Sequence, residues 1–274
     1  MIALNIAAQE IRVGLRNRWV IATTLLLAAL ALSLVLLGSA PTGTVGADPL
    51  AIVVVSLASL TIFLIPLIAL LLSFDGIVGE HERGTLILLL SYPVSRWQVV
   101  VGKVLGQTAI LAVATLVGYG AAGAALAAQA EIGANAWAAY TGMLATSVML
   151  GAAFIALGCL ASTLVRERAT AAGLAVGVWL FFVLIYDSAL LGLLVADQGR
   201  TVGETGLNLL LLFNPADAYR LFNMTATESV SVYSGMAGPG DPSGLGPATL
   251  LAALVAWILL PLTLAVAAFQ RRPI

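Results

Sequence analysis

Six long apolar stretches, separated by charged or Gly/Pro-rich breaks, decide what this chain can fold into. A helix rising about 1.5 Å per residue needs roughly 20 residues to cross about 30 Å of hydrocarbon. Residues 19–38, 50–74, 99–128, 138–165, 170–195 and 248–269 each supply that length. In lipid, backbone polar groups have no water to bond, so such runs fold as helices. Composition agrees: 61% of the 274 residues are hydrophobic and 9% charged, with a mean hydropathy of +1.07. A soluble core of that size needs a polar shell, which 12 basic and 13 acidic side chains cannot provide. The expected fold is an all-α integral membrane protein, a single transmembrane domain over residues 1–274. It has six transmembrane helices, an N-terminal amphipathic cytoplasmic segment, a short cytoplasmic helix and a short external helix.

A net charge of −1 without any Lys/Arg run excludes a nucleic-acid binder, whose phosphates are met by clustered basic side chains. The single cysteine, Cys159, can form neither an intramolecular disulfide nor a paired-Cys metal site. Arg12, Arg16 and Arg18 precede the first stretch in the manner of a signal peptide. Its apolar run is longer than the usual 7–15 residues or so, however, and Pro41 after Gly38-Ser39-Ala40 blocks cleavage. An uncleaved first helix is expected.

Basic residues are retained on the cytoplasmic side of a membrane. Placing the N-terminus inside puts Arg12, Arg16, Arg18, Arg83, Arg96, Lys103, Arg166, Arg168, Arg271 and Arg272 there, and leaves only Arg200 and Arg220 outside. Both termini and the loop Asp75 to Trp97 are therefore expected in the cytoplasm of a bacterial cell, with the chain in its inner membrane.

The longest break, residues 196–247, carries Asn214-Pro215-Ala216-Asp217. Asn at the N-cap, Pro at the first helical position and an acid in the first turn form a helix-start signature. This predicts a short external helix through about Asn223, at the outer membrane surface or plugging the outer mouth. Asp217 and Arg220, three residues apart, share a face and are expected to be exposed polar contacts for an outside partner. The stretch from Gly235 to Pro247 reads as a loop.

Few residues could carry chemistry. Gly102-Lys103 is followed by Val104, and Trp97 stands where a P-loop needs its first Gly, so no Walker A motif exists. The one histidine, His81, reads as a solvated loop residue without metal partners. Met143, Met149 and Cys159 are soft ligands on the fourth stretch, but their spacings of six and ten are only loosely one-sided, and packing accounts for them. Asp187 lies near the outer end of the fifth stretch, either neutralised there or touching substrate. Glycines such as Gly118, Gly120, Gly123, Gly151 and Gly158 fit close helix packing. An intramembrane enzyme would need a nucleophile with a base, or paired metal ligands, and the parts for either are missing. A self-sufficient secondary transporter would show internal repeats and broken helices with polar midplane groups, which the sequence does not. No catalytic residue, metal ligand or cofactor is assigned.

The run ERGTLILLLSYPVSR, residues 82–96, places Leu86, Leu89 and Leu90 on one face of about two turns before Pro93 stops the helix. Its residues fit an interfacial helix under the lipid headgroups, with Arg83 and Arg96 on phosphate. On spacing alone this reading is favoured over a docking element with its leucines in a groove and Glu82 and Arg83 at the rim. The longer run ERGTLILLLSYPVSRWQVVVGK resembles the first cytoplasmic loop of ABC-2-type permeases, which holds a coupling helix that docks into a cleft of the ATPase subunit. That resemblance implies an ATPase contact at Glu80, Glu82, Arg83, Gly84, Thr85, Leu89, Pro93, Ser95 and Arg96. Further segments narrow it: EIRVGLRNRW, SLASLTIFLIPLIALLLSFDGIVGE, AAGLAVGVWLFFVLIYD and LLLLFNPADAYRLFN resemble the branch of that family serving the maturation of nitrous oxide reductase. The narrower resemblance implies a homodimer, two copies of a separate cytoplasmic ATPase and an external copper-binding β-helical protein. It also implies contact with that protein at Asn214, Asp217, Tyr219 and Arg220. An ABC-2-type exporter for another substrate is the alternative.

The charge distribution generates a topology test. A cysteine introduced at Ser91 in a Cys159→Ser background is expected to resist an impermeant thiol reagent in intact cells and to react once the membrane is opened. Labelling from outside would reverse the orientation.

Overall fold

The computed structural model describes residues 2–38, 49–128, 133–197, 203–225 and 245–272. Pro41, Arg200 and residues 235–244 of the expected loop lie outside these. Every described element is a helix: α1 (Ile2–Gly14), α2 (Arg18–Gly38), α3 (Pro49–Ser73), α4 (Val78–Glu82), α5 (Thr85–Ser91), α6 (Arg96–Ala127), α7 (Ala134–Leu164), α8 (Arg168–Leu180), α9 (Tyr186–Asp197), α10 (Glu204–Leu212), α11 (Pro215–Thr225) and α12 (Pro247–Arg271). A π-helical turn, Phe181–Ile185, joins α8 to α9 without ending the helix. Six helical segments are long and apolar enough to cross a membrane: α2, α3 with its extension to Glu82, α6, α7, α8–α9 and α12.

The bundle is built around α7, which packs on α3, α6 and α12, while α6 carries α1 and α2 on its other side. Close approach is set by glycine. A methyl group on Gly102 would stand 2.8 Å from Ala3 O, and one on Gly106 2.9 Å from Ala7 O, so the two glycines let α1 lie directly on α6. On α7, a methyl group on Gly158 would collide with Ser73 Oγ at the end of α3. The fifth span is the outlier: 6% of its apolar window is buried, against 67% for α7, so it stands at the rim of the bundle.

Polar side chains stitch the apolar interior. Thr61 Oγ1 lies 2.8 Å from Tyr119 OH, and Ser147 Oγ lies 3.0 Å from Tyr219 OH. Pro66 interrupts the hydrogen bonding of α3, and in the turn before it Phe63 O accepts from Trp179 Nε1 at 3.0 Å. These buried hydroxyl and indole groups thus have partners, as a low-dielectric interior favours.

Of the two places expected for the external helix, the surface is excluded: α11 packs between α3, α7 and α12, and α10 leads into it. Trp257 Nε1 donates to Leu212 O at 3.0 Å, Tyr186 OH to Leu210 O at 2.6 Å and Asn214 Nδ2 to Phe182 O at 3.0 Å. Phe182 is 15 residues, or about 22 Å of helix, from the end of α9 at Asp197. The α10–α11 hairpin is therefore re-entrant: its tip reaches midway along the fifth span. The reason is polar. A bare Asn-Pro turn finds the backbone and carboxylate partners it needs inside the bundle.

At the opposite end, Ser162 Oγ of α7 accepts from the N–H groups of Ile77 and Val78, at 3.1 and 3.0 Å. It thereby caps α4 from a distant helix. Ser162→Ala strands two buried donors, at an expected cost of about 1–3 kcal/mol. The purified variant is expected to melt several degrees lower in detergent than wild type, whereas Ser91→Ala, on the exposed face of α5, leaves the midpoint unchanged.

Candidate functional site

Two polar clusters stand at opposite ends of the bundle. The first surrounds α4 and α5. Lys103, buried about 10 Å inside α6 from Arg96, places Nζ 2.6 Å from Glu10 Oε1 of α1 and 2.6 Å from Glu80 Oε1 of α4. Glu82 Oε1 accepts from the backbone N–H of Arg168 at 2.7 Å, at the first residue of α8, where a helix N-terminus favours a carboxylate. Asp75 pairs with Arg168 Nε at 2.9 Å and with Arg83 at 3.6 Å. Both arginine side chains are more than half exposed, so these two pairs add little stability.

Gly84 is the one described residue with a left-handed backbone, φ 73°, which lets the chain reverse between α4 and α5. Thr85 Oγ1 donates to Glu80 O at 3.2 Å. After α5, Tyr92 turns to extended backbone before Pro93. Ser95 and Gln98 then form a capping box on α6. Arg96 Nη1 donates to Phe269 O, Gln270 O and Arg272 O at 3.0, 3.0 and 2.7 Å, holding the last carbonyls of α12. These contacts wire the α4–α5 segment to α1, α6, α8 and α12.

The leucine face of α5 points the other way from expectation. Leu86 is buried, and Leu89 and Leu90 pack against the core of the bundle. Leu89 thus serves first as an internal contact. The large side chains standing free are Ile87, Leu88 and Tyr92, at 60, 66 and 69% exposure. The period of the leucines located the helix correctly but left open which body its apolar face would cover.

The second cluster lies at the tip of the re-entrant hairpin. Asn214 Oδ1 accepts from Ala216 N at 3.0 Å, the cap the sequence signature anticipates. Its Nδ2 also lies 3.0 Å from Asp217 Oδ2 and 3.4 Å from Asp187 Oδ1. Arg220 bridges Asp187, at 2.7 Å, and Asp217, at 2.9 Å. The expectation of exposed contacts is corrected here: Asn214, Asp217 and Tyr219 are 0, 2 and 0% exposed. Of the four residues, Arg220 alone keeps an accessible side chain, at 39%. An isolated carboxylate at this depth costs too much to leave unpaired, so the polar face of α11 turns inward. Asp187 is neutralised by Arg220.

Met143 and Cys159 are buried in the core of the bundle, and Met149 packs against that core. Lys103, Glu10, Asp75, Ser162 and Arg168 were not singled out from sequence. The one available signal was Lys103 itself, a charge at the fifth residue of the apolar stretch 99–128.

Comparison with known proteins places this architecture. A sequence model described as ABC-2 family transporter protein matches residues 4–273. The chain is 45% identical over 271 residues to a protein of Stutzerimonas stutzeri named probable ABC transporter permease protein NosY, covering 98% of each chain. It is 43% identical to a protein of the same name from Pseudomonas aeruginosa, again over 98% of both. With its six apolar helices and near-complete match, the chain belongs to the ABC-2 family and is the permease subunit of an ABC transporter.

Proposed function

We propose that this permease transmits the ATP-driven movement of a separate cytoplasmic ATPase, NosF-like, to an external copper-binding β-helical partner, NosD-like, during copper-site maturation of nitrous oxide reductase. The named relatives support that setting. In this reading residues 1–274 form one transmembrane unit in the inner membrane, with both termini and α4–α5 on the cytoplasmic side. ATP hydrolysis belongs to the partner subunit.

The observation that carries the reading is the two-faced placement of α5. Its inner face is seated in the bundle through Leu86, while Ile87, Leu88 and Tyr92 stand free beside it. An apolar, exposed helix face framed by charges suits insertion into a protein groove. Glu80, Glu82 and Arg96 tie its flanks to three other helices, so a push on α5 would reach α6, α8 and α12 together. Gly84 and Pro93 bound the lever, Arg83 and Thr85 lie at its rim, and Ser95 starts the helix that follows. Leu89 supports the lever from within.

The permease would act as a homodimer. The fifth span offers an almost unburied apolar surface, and Gly173 and Gly177, four apart in α8, have open space where a side chain would stand. A GxxxG pair of this kind lets two helices approach closely, which suits a second copy on this face. At the other end, Arg220 is the accessible contact for the external partner, and Asn214, Asp217 and Tyr219 hold its helix from within.

Leu88→Asp tests the coupling assignment. A charge forced into a water-excluding groove costs several kcal/mol, on the order of 3 or more, while the permease's own packing is spared because Leu88 is exposed. The variant is expected to insert normally and to lose copurification with the ATPase. Normal insertion with undiminished ATPase binding and activity would mean that α5 merely lies on the membrane.

A further inference from the structure

The α4–α5 segment runs from the end of α3 to the start of α6, and its two ends are joined by a relay in which each side chain holds the backbone of the next residue. Arg96, the first residue of α6, donates from Nη1 to Arg272 O at 2.7 Å, and to Phe269 O and Gln270 O at 3.0 Å each. Arg272 in turn donates from Nη1 to Ser162 O and Thr163 O, at 3.3 and 3.4 Å, in the last turn of α7. Ser162 Oγ then accepts from Ile77 N and Val78 N, at 3.1 and 3.0 Å, where α4 begins. The covalent chain from Val78 through Gly84 and Pro93 to Arg96 closes the ring.

Both arginines act on helix C-termini, Arg96 on α12 and Arg272 on α7. The last carbonyls of a helix lack intrahelical donors and carry partial negative charge, so a guanidinium satisfies them and is held by them. Arg96 is steadied further by the buried ring of Phe269, whose centroid lies 5.8 Å from its Cζ. Arg272 has less support of its own. Its Nη2 is buried with no hydrogen-bond partner among the described residues, so the Nη1 contacts and the backbone that Arg96 grips are what place the side chain. Those Nη1 contacts are the longest of the relay, which makes them the step most sensitive to displacement. Downstream, α4 has five residues, too few to hold a helical turn without tertiary support. Its start is therefore defined by the buried hydroxyl of Ser162, whose own backbone Arg272 holds.

We infer that Arg272 is a positioning residue for the α4–α5 segment: through Ser162 it fixes where α4 starts, and through Arg96 it ties that start to the point where the chain re-enters the bundle. The end of the last span thereby sets the separation of the two ends of the segment, although it is 180 or more residues away from both in the chain only at α4 and is joined to neither by a direct bond to α5. The use made of the segment rests on the coupling reading, whereas the relay is a property of the permease alone.

Hydrogen–deuterium exchange on the purified full-length protein in lipid nanodiscs, read by mass spectrometry over peptides that contain Ile77 and Val78, tests the relay without any ATPase. Arg272→Gln and Arg96→Gln are each expected to speed exchange at these two amides about tenfold, the scale of one hydrogen bond to a charged group, although the two side chains bond α7 and α12 rather than α4. Arg272→Lys, which returns a donor to Ser162 O, should recover most of the protection. Arg271→Gln, which removes the same charge at an exposed neighbour, should change nothing. Ser162→Ala should speed exchange at least as much as Arg272→Gln, and the two together no further than Ser162→Ala alone, because both act through one pair of bonds. Unchanged exchange at Ile77 and Val78 in a folded Arg272→Gln protein would overturn the inference. So would a rise spread evenly over α7 and α12, which would mark Arg272 as a general bundle contact, an equal effect of Arg271→Gln, which would mark charge alone, or effects of Arg272→Gln and Ser162→Ala that multiply. Where one of the two arginine-to-glutamine variants does not fold, the other decides. Copurification of the ATPase is a separate readout of docking, so failure of the relay and failure of the coupling reading are told apart.

Discussion

A lysine ammonium inside an apolar helix bundle is the constraint around which one end of this protein is organised. Removing such a charge from water costs several kcal/mol after relaxation, and close partners must offset it. Lys103 has them in Glu10 and Glu80, both at 2.6 Å. The geometry demands that α1 lie flat on α6, which only the small residues at Gly102 and Gly106 permit. It demands equally that α4 continue from the end of α3 against α7, which Ser162 secures by capping Ile77 and Val78. One buried cation therefore fixes the position of the N-terminal helix and of the segment that leads to α5. Removing either carboxylate alone would leave the ammonium undercompensated, which is more damaging than losing a surface pair of the same length.

The other end solves the same problem with a different device. Asn214 needs acceptors for its amide, and the π-helical turn at Phe181–Ile185 supplies one at Phe182 O. A wide turn of this kind breaks the regular hydrogen-bond ladder and frees carbonyls for side chains. Asp187, two residues beyond the turn, then meets Arg220. The hairpin is held at depth because its tip, the π turn and the ion pair satisfy one another. Without the hairpin, Asp187 would face an apolar surrounding with no counter-charge.

The six apolar helices were legible in sequence because length and hydropathy act locally and need no knowledge of neighbours. The cap at Asn214 and the helix that follows it were legible for the same reason. What the sequence withheld was direction. An amphipathic helix of 11 residues declares two faces, but whether Asp217 or Tyr219 turns to water depends on what lies beside it, and both are buried. The leucines of α5 failed in the same way, since Leu86 and Leu89 cover this protein's own core. Lys103 was counted with the basic residues of a loop, although its partner Glu10 is 93 residues away and could not be read from periodicity. Long-range pairing, not local propensity, separates the expected site from the observed one.

The fifth span connects the two solutions. Arg168 at its start bonds Glu82 and Asp75, and Asp187 bonds Arg220, with about 28 Å of helix between them. Along that length the span is barely buried, so few side-chain contacts resist its displacement relative to α7. Its attachments are instead polar and concentrated: charge pairs at the α5 end, the Trp179 to Phe63 bond near the middle, and the Asn214 and Arg220 contacts at the hairpin. A helix held by discrete bonds over a sparse apolar contact moves as a rod rather than repacking residue by residue. Under the proposed coupling, a displacement of α4 would act on the fifth span through Glu82, and the span would act on α11 through Asp187.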